Sequence, residues 1–113
     1  MMENKVKVIL EAIDNTKGED VMMYDFTALN PFIDRVIITS ADNLRQVYAI
    51  ASNIETALKE NGLSIHHFEG DKNSRWILID ADEVIVHVFL DEERNVYKLE
   101  RLYGDLPRLE SHV

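Results

Sequence analysis

The sequence predicts a mixed α/β (α+β) fold, a five-stranded mixed sheet with helices mainly on one face. Three observations predict it. Residues 6–13 and 44–58 repeat apolar side chains every three or four positions, the period of a helix. Residues 35–39, 75–80 and 83–90 are short β-branched and aliphatic runs with the composition of strands. The 113 residues are 46% apolar with four Gly and two Pro, and show neither repeats nor a linker, which suits one domain around one core.

Taken in order, Val6, Ile9, Leu10 and Ile13 form one helical stripe that ends at Gly18. Val21 to Asp25 reads as a short strand and Phe26 to Pro31 as its loop. Arg35 to Thr39 reads as a buried strand. Ser40 or Asp42 suits a helix N-cap, and the stripe Leu44, Val47, Ala51, Ile54, Leu58 predicts a helix over about 43–60 that stops at Asn61-Gly62. Leu63 to Glu69 is the next strand, parallel to 35–39 through a right-handed crossover. Arg75–Asp80 and Glu83–Leu90 form a hairpin around Ala81-Asp82, with Asp80 opposite Glu83 and Trp76 opposite His87. Asp91 caps a last helix in which Val96, Leu99 and Tyr103 keep helical spacing and Gly104 is the stop; a strand over 95–99 is the alternative. The domain spans 1–105, and 106–113 reads as a tail after Pro107.

Charge narrows the partners. Twelve Lys and Arg face 21 Asp and Glu, a net charge of −9. A chain this acidic gains little from phosphate contacts, so gripping DNA or an anionic membrane is not expected. A basic protein surface, a cation or an uncharged partner is expected instead. The absence of cysteine excludes a disulfide framework, thiolate-bound zinc and thiol catalysis. No apolar run approaches the roughly 18 residues of a membrane helix, and the first residues lack the pattern of a signal peptide, so a cytoplasmic location is expected.

Four groups of residues carry candidate chemistry. Alternation places Ile77, Ile79, Val84, Val86 and Val88 on one face of the hairpin, and Trp76, Leu78, Ile85, His87 and Phe89 on the other. The second face is either core under the C-terminal helix or a protein-docking surface. Asp80-x-Asp82-Glu83 reads as a solvated hairpin tip or as carboxylates for Mg²⁺ in nucleotide transfer, but no Gly-rich phosphate loop accompanies it. His66 and His67 point to opposite faces of a strand and do not suit one metal. The acids Glu69, Asp71, Asp80, Asp82, Glu83, Asp91, Glu92 and Glu93 form either a solubilising rim or a negative collar that steers a basic partner.

Trp76-Ile77-Leu78-Ile79-Asp80, Val84-Ile85-Val86-His87-Val88-Phe89, Arg94 and Tyr97-x-Leu99-Glu100-x-Leu102, in this order and spacing, resemble the ribosomal silencing factors, also called the Iojap-related family. Lys17-x-x-Asp20-Val21, Asp25, Asp34, Arg45-Gln46-Val47 and Glu69-Gly70 support the resemblance, which covers about 12–107. The chain departs from the family pattern at Arg35-Val36, Thr39-Ser40-Ala41-Asp42-Asn43, Asp82-Glu83 and Tyr103. The resemblance implies a sheet of nucleotidyltransferase-like topology without that chemistry, with no cofactor and no metal. It implies binding to the large ribosomal subunit through a basic protein of the joining face, ribosomal protein L-fourteen. Small-subunit association would then be blocked and translation repressed under nutrient limitation, or subunit biogenesis assisted. A homodimer is implied off the ribosome. Carried over by position, the partner-binding residues are Glu69, Trp76, Leu78, Asp80, His87, Tyr97 and Glu100.

Overall fold

In the computed structural model, one mixed sheet of six strands carries two long helices on one face and a short third helix at one end. The structure describes residues 2–97, 101, 103–104 and 106–109, with Met2, Val96 and Tyr97 as backbone only. The elements are α1 (Met2–Asn15), β1 (Glu19–Asp25), β2 (Arg35–Ala41), α2 (Leu44–Glu60), β3 (His67–Glu69), β4 (Trp76–Ala81), β5 (Val84–Leu90), α3 (Asp91–Tyr97) and β6 (Arg108–Leu109).

The strands lie in the order β3-β4-β5-β2-β1-β6. Among the described residues only the β2–β5 pair is parallel. β3 therefore runs in the direction of β2, as the crossover through α2 demands, with the β4–β5 hairpin laid between them. Ile77, Ile79, Val84, Val86 and Val88 are fully buried beneath Ile9 and Ile13 of α1 and Val47, Ile50, Ala51, Ile54 and Leu58 of α2. Each such side chain stabilises the fold by roughly 1.5–3 kcal/mol. On the opposite face Tyr24, Val36, Ile38 and Phe89 make a smaller cluster, closed in part by Tyr103 and Leu106.

Several expectations are corrected. The sheet has six strands, not five. β6 falls in the stretch read as a tail, where two residues after Pro107 carry no alternation to read. It is held by pairing with Met23 and Tyr24, and the Pro107 carbonyl accepts the Asp25 N–H at 2.9 Å. The hairpin turn is Asp82-Glu83 rather than Ala81-Asp82, with Ala81 opposite Val84 and Trp76 opposite Phe89. The turn needs a residue at positive φ. Asp82 takes it, at +66°, and its N–H donates to Asp80 Oδ1 at 3.0 Å. Aspartate tolerates that conformation and alanine does not.

β3 is shorter than 63–69 because residues before His66 run past the end of β4. Leu63 and Ile65 pack on the core instead. Asn43 caps α2, its side chain accepting the Gln46 N–H at 2.9 Å, while Ser40 belongs to β2 and Asp42 orients the cap by accepting from Asn43 Nδ2. Asp91 is the first residue of α3 rather than its cap, and Leu99 lies outside the described residues.

A buried cation ties α1 to the hairpin. The Lys5 ammonium donates to the Ala81 carbonyl at 2.9 Å and pairs with Glu83 Oε1 at 2.7 Å. Both long helices end in the same motif. In α2, Gly62 sits at φ +69°, the Leu63 N–H reaches the Leu58 carbonyl and the Gly62 N–H the Lys59 carbonyl. In α1 the corresponding left-handed residue is Lys17, at φ +60°, with the Gly18 N–H on the Ile13 carbonyl and the Lys17 N–H on Asp14. Gly18 is needed for another reason. A Cβ there would stand 2.5 Å from Ile13 Cγ2 and 2.7 Å from Thr39 Oγ1.

Lys17→Gly removes a left-handed side chain and is expected to raise stability by about 0.5–1 kcal/mol. Gly18→Ala is expected to lower it by more. Urea denaturation of the two variants checks both, and a neutral Lys17→Gly would contradict the strain assigned to that position.

Candidate functional site

β4 turns Trp76, Leu78 and Asp80 to the second face of the sheet. Directly opposed residues of an antiparallel pair share a face, so Glu69 of β3 and His87 of β5 flank Leu78 there. Five of the expected site residues are thus brought together. Tyr97 closes α3 as backbone, and Glu100 lies outside the described residues.

Trp76 is the centre of the group. Its indole stacks on Phe89 with ring centroids 4.8 Å apart and planes at 27°. Its Nε1–H donates to His87 Nδ1 at 3.1 Å. Although Trp76 pairs with Phe89, His87 lies two residues away on the same face, within diagonal reach of an aromatic side chain. Phe89 is buried and Trp76 half-buried, so the face is core at one end and open at the other. The C-terminal segment covers the far end, where Tyr103 meets Tyr24 and Phe26 edge-on at 5.7 and 5.4 Å.

An open depression of about 400 Å³ borders the indole, lined by Glu69, Gly70, Ser74, Trp76 and Leu78. Its wall is a built loop: Asp71 Oδ1 accepts the Asn73 N–H, and Ser74 Oγ accepts the Asp71 N–H, both at 2.8 Å. Gly70 is required there. It sits at φ +134°, and a Cβ would lie 2.8 Å from Ile77 Cγ1. Gly70, Ser74 and Phe89 were not among the expected site residues. The Glu69-Gly70 pair was the sequence signal for the first, and alternation for the last.

The other candidates separate. At the hairpin turn Asp80 Oδ1 accepts the Asp82 N–H at 3.0 Å, and Asp82 Oδ2 accepts the Ser64 hydroxyl at 3.0 Å. His66 approaches Asp82 at 4.0 Å and His67 approaches Glu69 at 3.9 Å. Among the described residues no group of three or more such side chains is arranged to hold a metal ion. Nor is any helix among them long and apolar enough to cross a membrane.

His87, 7% exposed, is held neutral by its burial, which pushes its pKa down to about 4. Between the unfolded value of 6.5 and about 4, the unfolded chain takes up a proton that the folded chain refuses. Stability from this group therefore falls as the pH falls through that window, by roughly 3 kcal/mol in all at about 1.4 kcal/mol per pKa unit. His87→Gln is expected to flatten that part of the pH profile, as read by urea titrations between about pH 7 and pH 4. Trp76 is the single tryptophan, so its emission should shift in the wild type as the imidazole protonates. Parallel profiles for the two proteins would rule out the assignment.

Comparison with known proteins bears on the family of the chain as a whole. Residues 1–113 match the family model described as ribosomal silencing factor during starvation. The ribosomal silencing factor of Chromobacterium violaceum is 38% identical over 98 residues, covering 87% of this chain and 80% of that one. That of Bacillus subtilis is 36% identical over 102 residues, covering 90% and 86%. A crystal structure of a Chromobacterium violaceum protein superposes with a TM-score of 0.88 at 34% identity, over 100% of this chain and 93% of the other. The chain belongs to the ribosomal silencing factor family.

Proposed function

We propose that this protein silences translation by occupancy rather than chemistry. It docks on the large ribosomal subunit, on a basic protein of the joining face, ribosomal protein L-fourteen, and excludes the small subunit from that spot. The observation that carries the reading is the half-buried Trp76, stacked on Phe89 and set beside Leu78, with Glu69 and Asp80 on the same strip of a chain of net charge −9. A tryptophan in such a setting suits the centre of an interface, where one aromatic side chain supplies on the order of 2 kcal/mol or more. The carboxylates supply complementarity to a basic partner. Tyr97 and Glu100 belong to the same proposed surface by position, and a homodimer is proposed for the free protein.

Large-subunit biogenesis is a second reading of the same contact. Metal-dependent nucleotide transfer is weaker, although a nucleotidyltransferase-like sheet is part of the proposed ancestry. The sequence offers it no Gly-rich phosphate loop.

Trp76→Ala is expected to weaken cosedimentation with isolated large subunits about tenfold or more, and to relieve the block in a subunit-joining assay. A folded variant that sediments as the wild type does would place Trp76 in the core and sink the proposed interface. Raising the salt is expected to weaken wild-type binding; flat salt dependence would remove the acidic strip from the contact.

A further inference from the structure

Two large apolar side chains stand out in solvent among the described residues, Phe32 at 81% and Leu29 at 61% exposure. Both lie on the loop between β1 and β2. That loop is tightly built. Asn30 Oδ1 accepts the Phe32 N–H at 2.8 Å, and the Phe26 carbonyl accepts from the Leu29 and Asn30 N–H groups at 3.0 and 3.3 Å. Asp25 Oδ1 accepts the Thr27 N–H and hydroxyl at 3.0 and 2.6 Å, and the Asp34 N–H donates to the Glu83 carbonyl at 2.8 Å. The ring is thus held outward by a preorganised backbone, which lowers the entropy lost on binding.

Phe32 borders an open groove of about 380 Å³ with Ile33, Ile85, His66, Asp80, Asp82 and Glu83. Ile33 and Ile85 pack in the same cluster as Trp76 and Phe89, so the groove continues the aromatic strip rather than standing apart from it. Its charge is one-sided. Glu83 is answered by Lys5 at 2.7 Å, but among the described residues no Lys or Arg pairs with Asp80 or Asp82.

We propose that the docking surface runs along β4 from Trp76 to Phe32, and that its Phe32 end receives a basic segment of the partner protein. Lys or Arg of that segment sits against Asp80 and Asp82, and an apolar side chain sits against Phe32. The inference rests on the docking reading above and adds a second anchor to it. From Trp76 to Asp80 the strip is roughly 13 Å long, at about 3.3 Å per residue, so the two ends are engaged by different parts of the partner. A second copy of this chain fits the groove less well. A two-fold contact sets a patch against itself, which would bring the same uncompensated carboxylates together.

The test uses the full chain and isolated large subunits, comparing wild type, Phe32→Ala, Asp80→Asn and Trp76→Ala by cosedimentation. The mass of each free protein is read by light scattering. Phe32 is 81% exposed, so its variant is expected to unfold in urea as the wild type does, yet to bind about tenfold more weakly. Asp80→Asn keeps the oxygen that accepts the Asp82 N–H and is expected to reduce the salt dependence of binding. If Trp76→Ala weakens binding while Phe32→Ala and Asp80→Asn leave it unchanged, the second anchor is wrong and the docking reading stands. If the wild type does not bind large subunits at all, that reading fails and the anchor falls with it. If Phe32→Ala alters the mass of the free protein without altering subunit binding, the loop is a contact between copies, and the proposal is overturned.

Discussion

The constraint on which the rest of this structure depends is that β5 is apolar on both faces. Val84, Val86 and Val88 are fully buried on one side, and His87 and Phe89 are buried on the other. Such a strand is stable only inside a sheet with cover on each side. It accordingly sits between β4 and β2, while the edges go to β3 and β6, three and two residues long. Short, polar edges offer little template for unwanted pairing. Helices α1 and α2 cover one face completely. On the other, among the described residues, Tyr103 and Leu106 pack at one end, and Trp76 is half-buried at the opposite end. The candidate site is the part of a two-sided apolar strand pair that the described residues leave incompletely covered.

This explains what could be read from the residues. The register that the residues predict sets Asp80 against Glu83, whereas in the sheet Asp80 faces Ile85. The slip was two residues, so every side chain kept its face, and the sorting into an aliphatic and an aromatic side survived. A slip of one would have inverted it. What stayed hidden depends on backbone geometry or on contacts distant in sequence. Lys17 takes a left-handed position that Gly18 was better suited to by type, because Gly18 is needed where α1 closes on Thr39. Lys5 and the Ala81 carbonyl are 76 positions apart, and nothing in the local pattern marks that lysine as buried. Phe32 falls in a non-periodic loop, where alternation has nothing to say about exposure.

The charge balance also acquires a geography. Lys5 and Arg94 are buried, the first on Glu83 and the second with its guanidinium 3.0 Å from the Ser40 hydroxyl. Arg35, Arg75, Lys7 and Lys59 each lie within 4.0 Å of a carboxylate. With so many cations engaged, the surplus acids remain as local concentrations. Near α3 the crowding is strong enough that Asp91, by repulsion, raises the pKa of the exposed Glu19 carboxyl. Along β4 the acids Glu69 and Asp80 stand beside the apolar surface of Trp76 and Leu78 instead.

Trp76 joins these two aspects. A half-buried indole carries one polar group that must be satisfied, and the partner it finds, His87 Nδ1, lies within the sheet face. With the N–H turned inward, less bound water has to be stripped from the ring when a partner arrives. The arrangement works only while the imbalance of polarity is kept: the imidazole must stay neutral to accept that bond, and it stays neutral because the stacked rings and the surrounding strands exclude water from it. Burial that stabilises the fold at neutral pH is therefore the same burial that holds the indole in place. A substitution that opened the face around His87 would loosen Trp76 even without touching it.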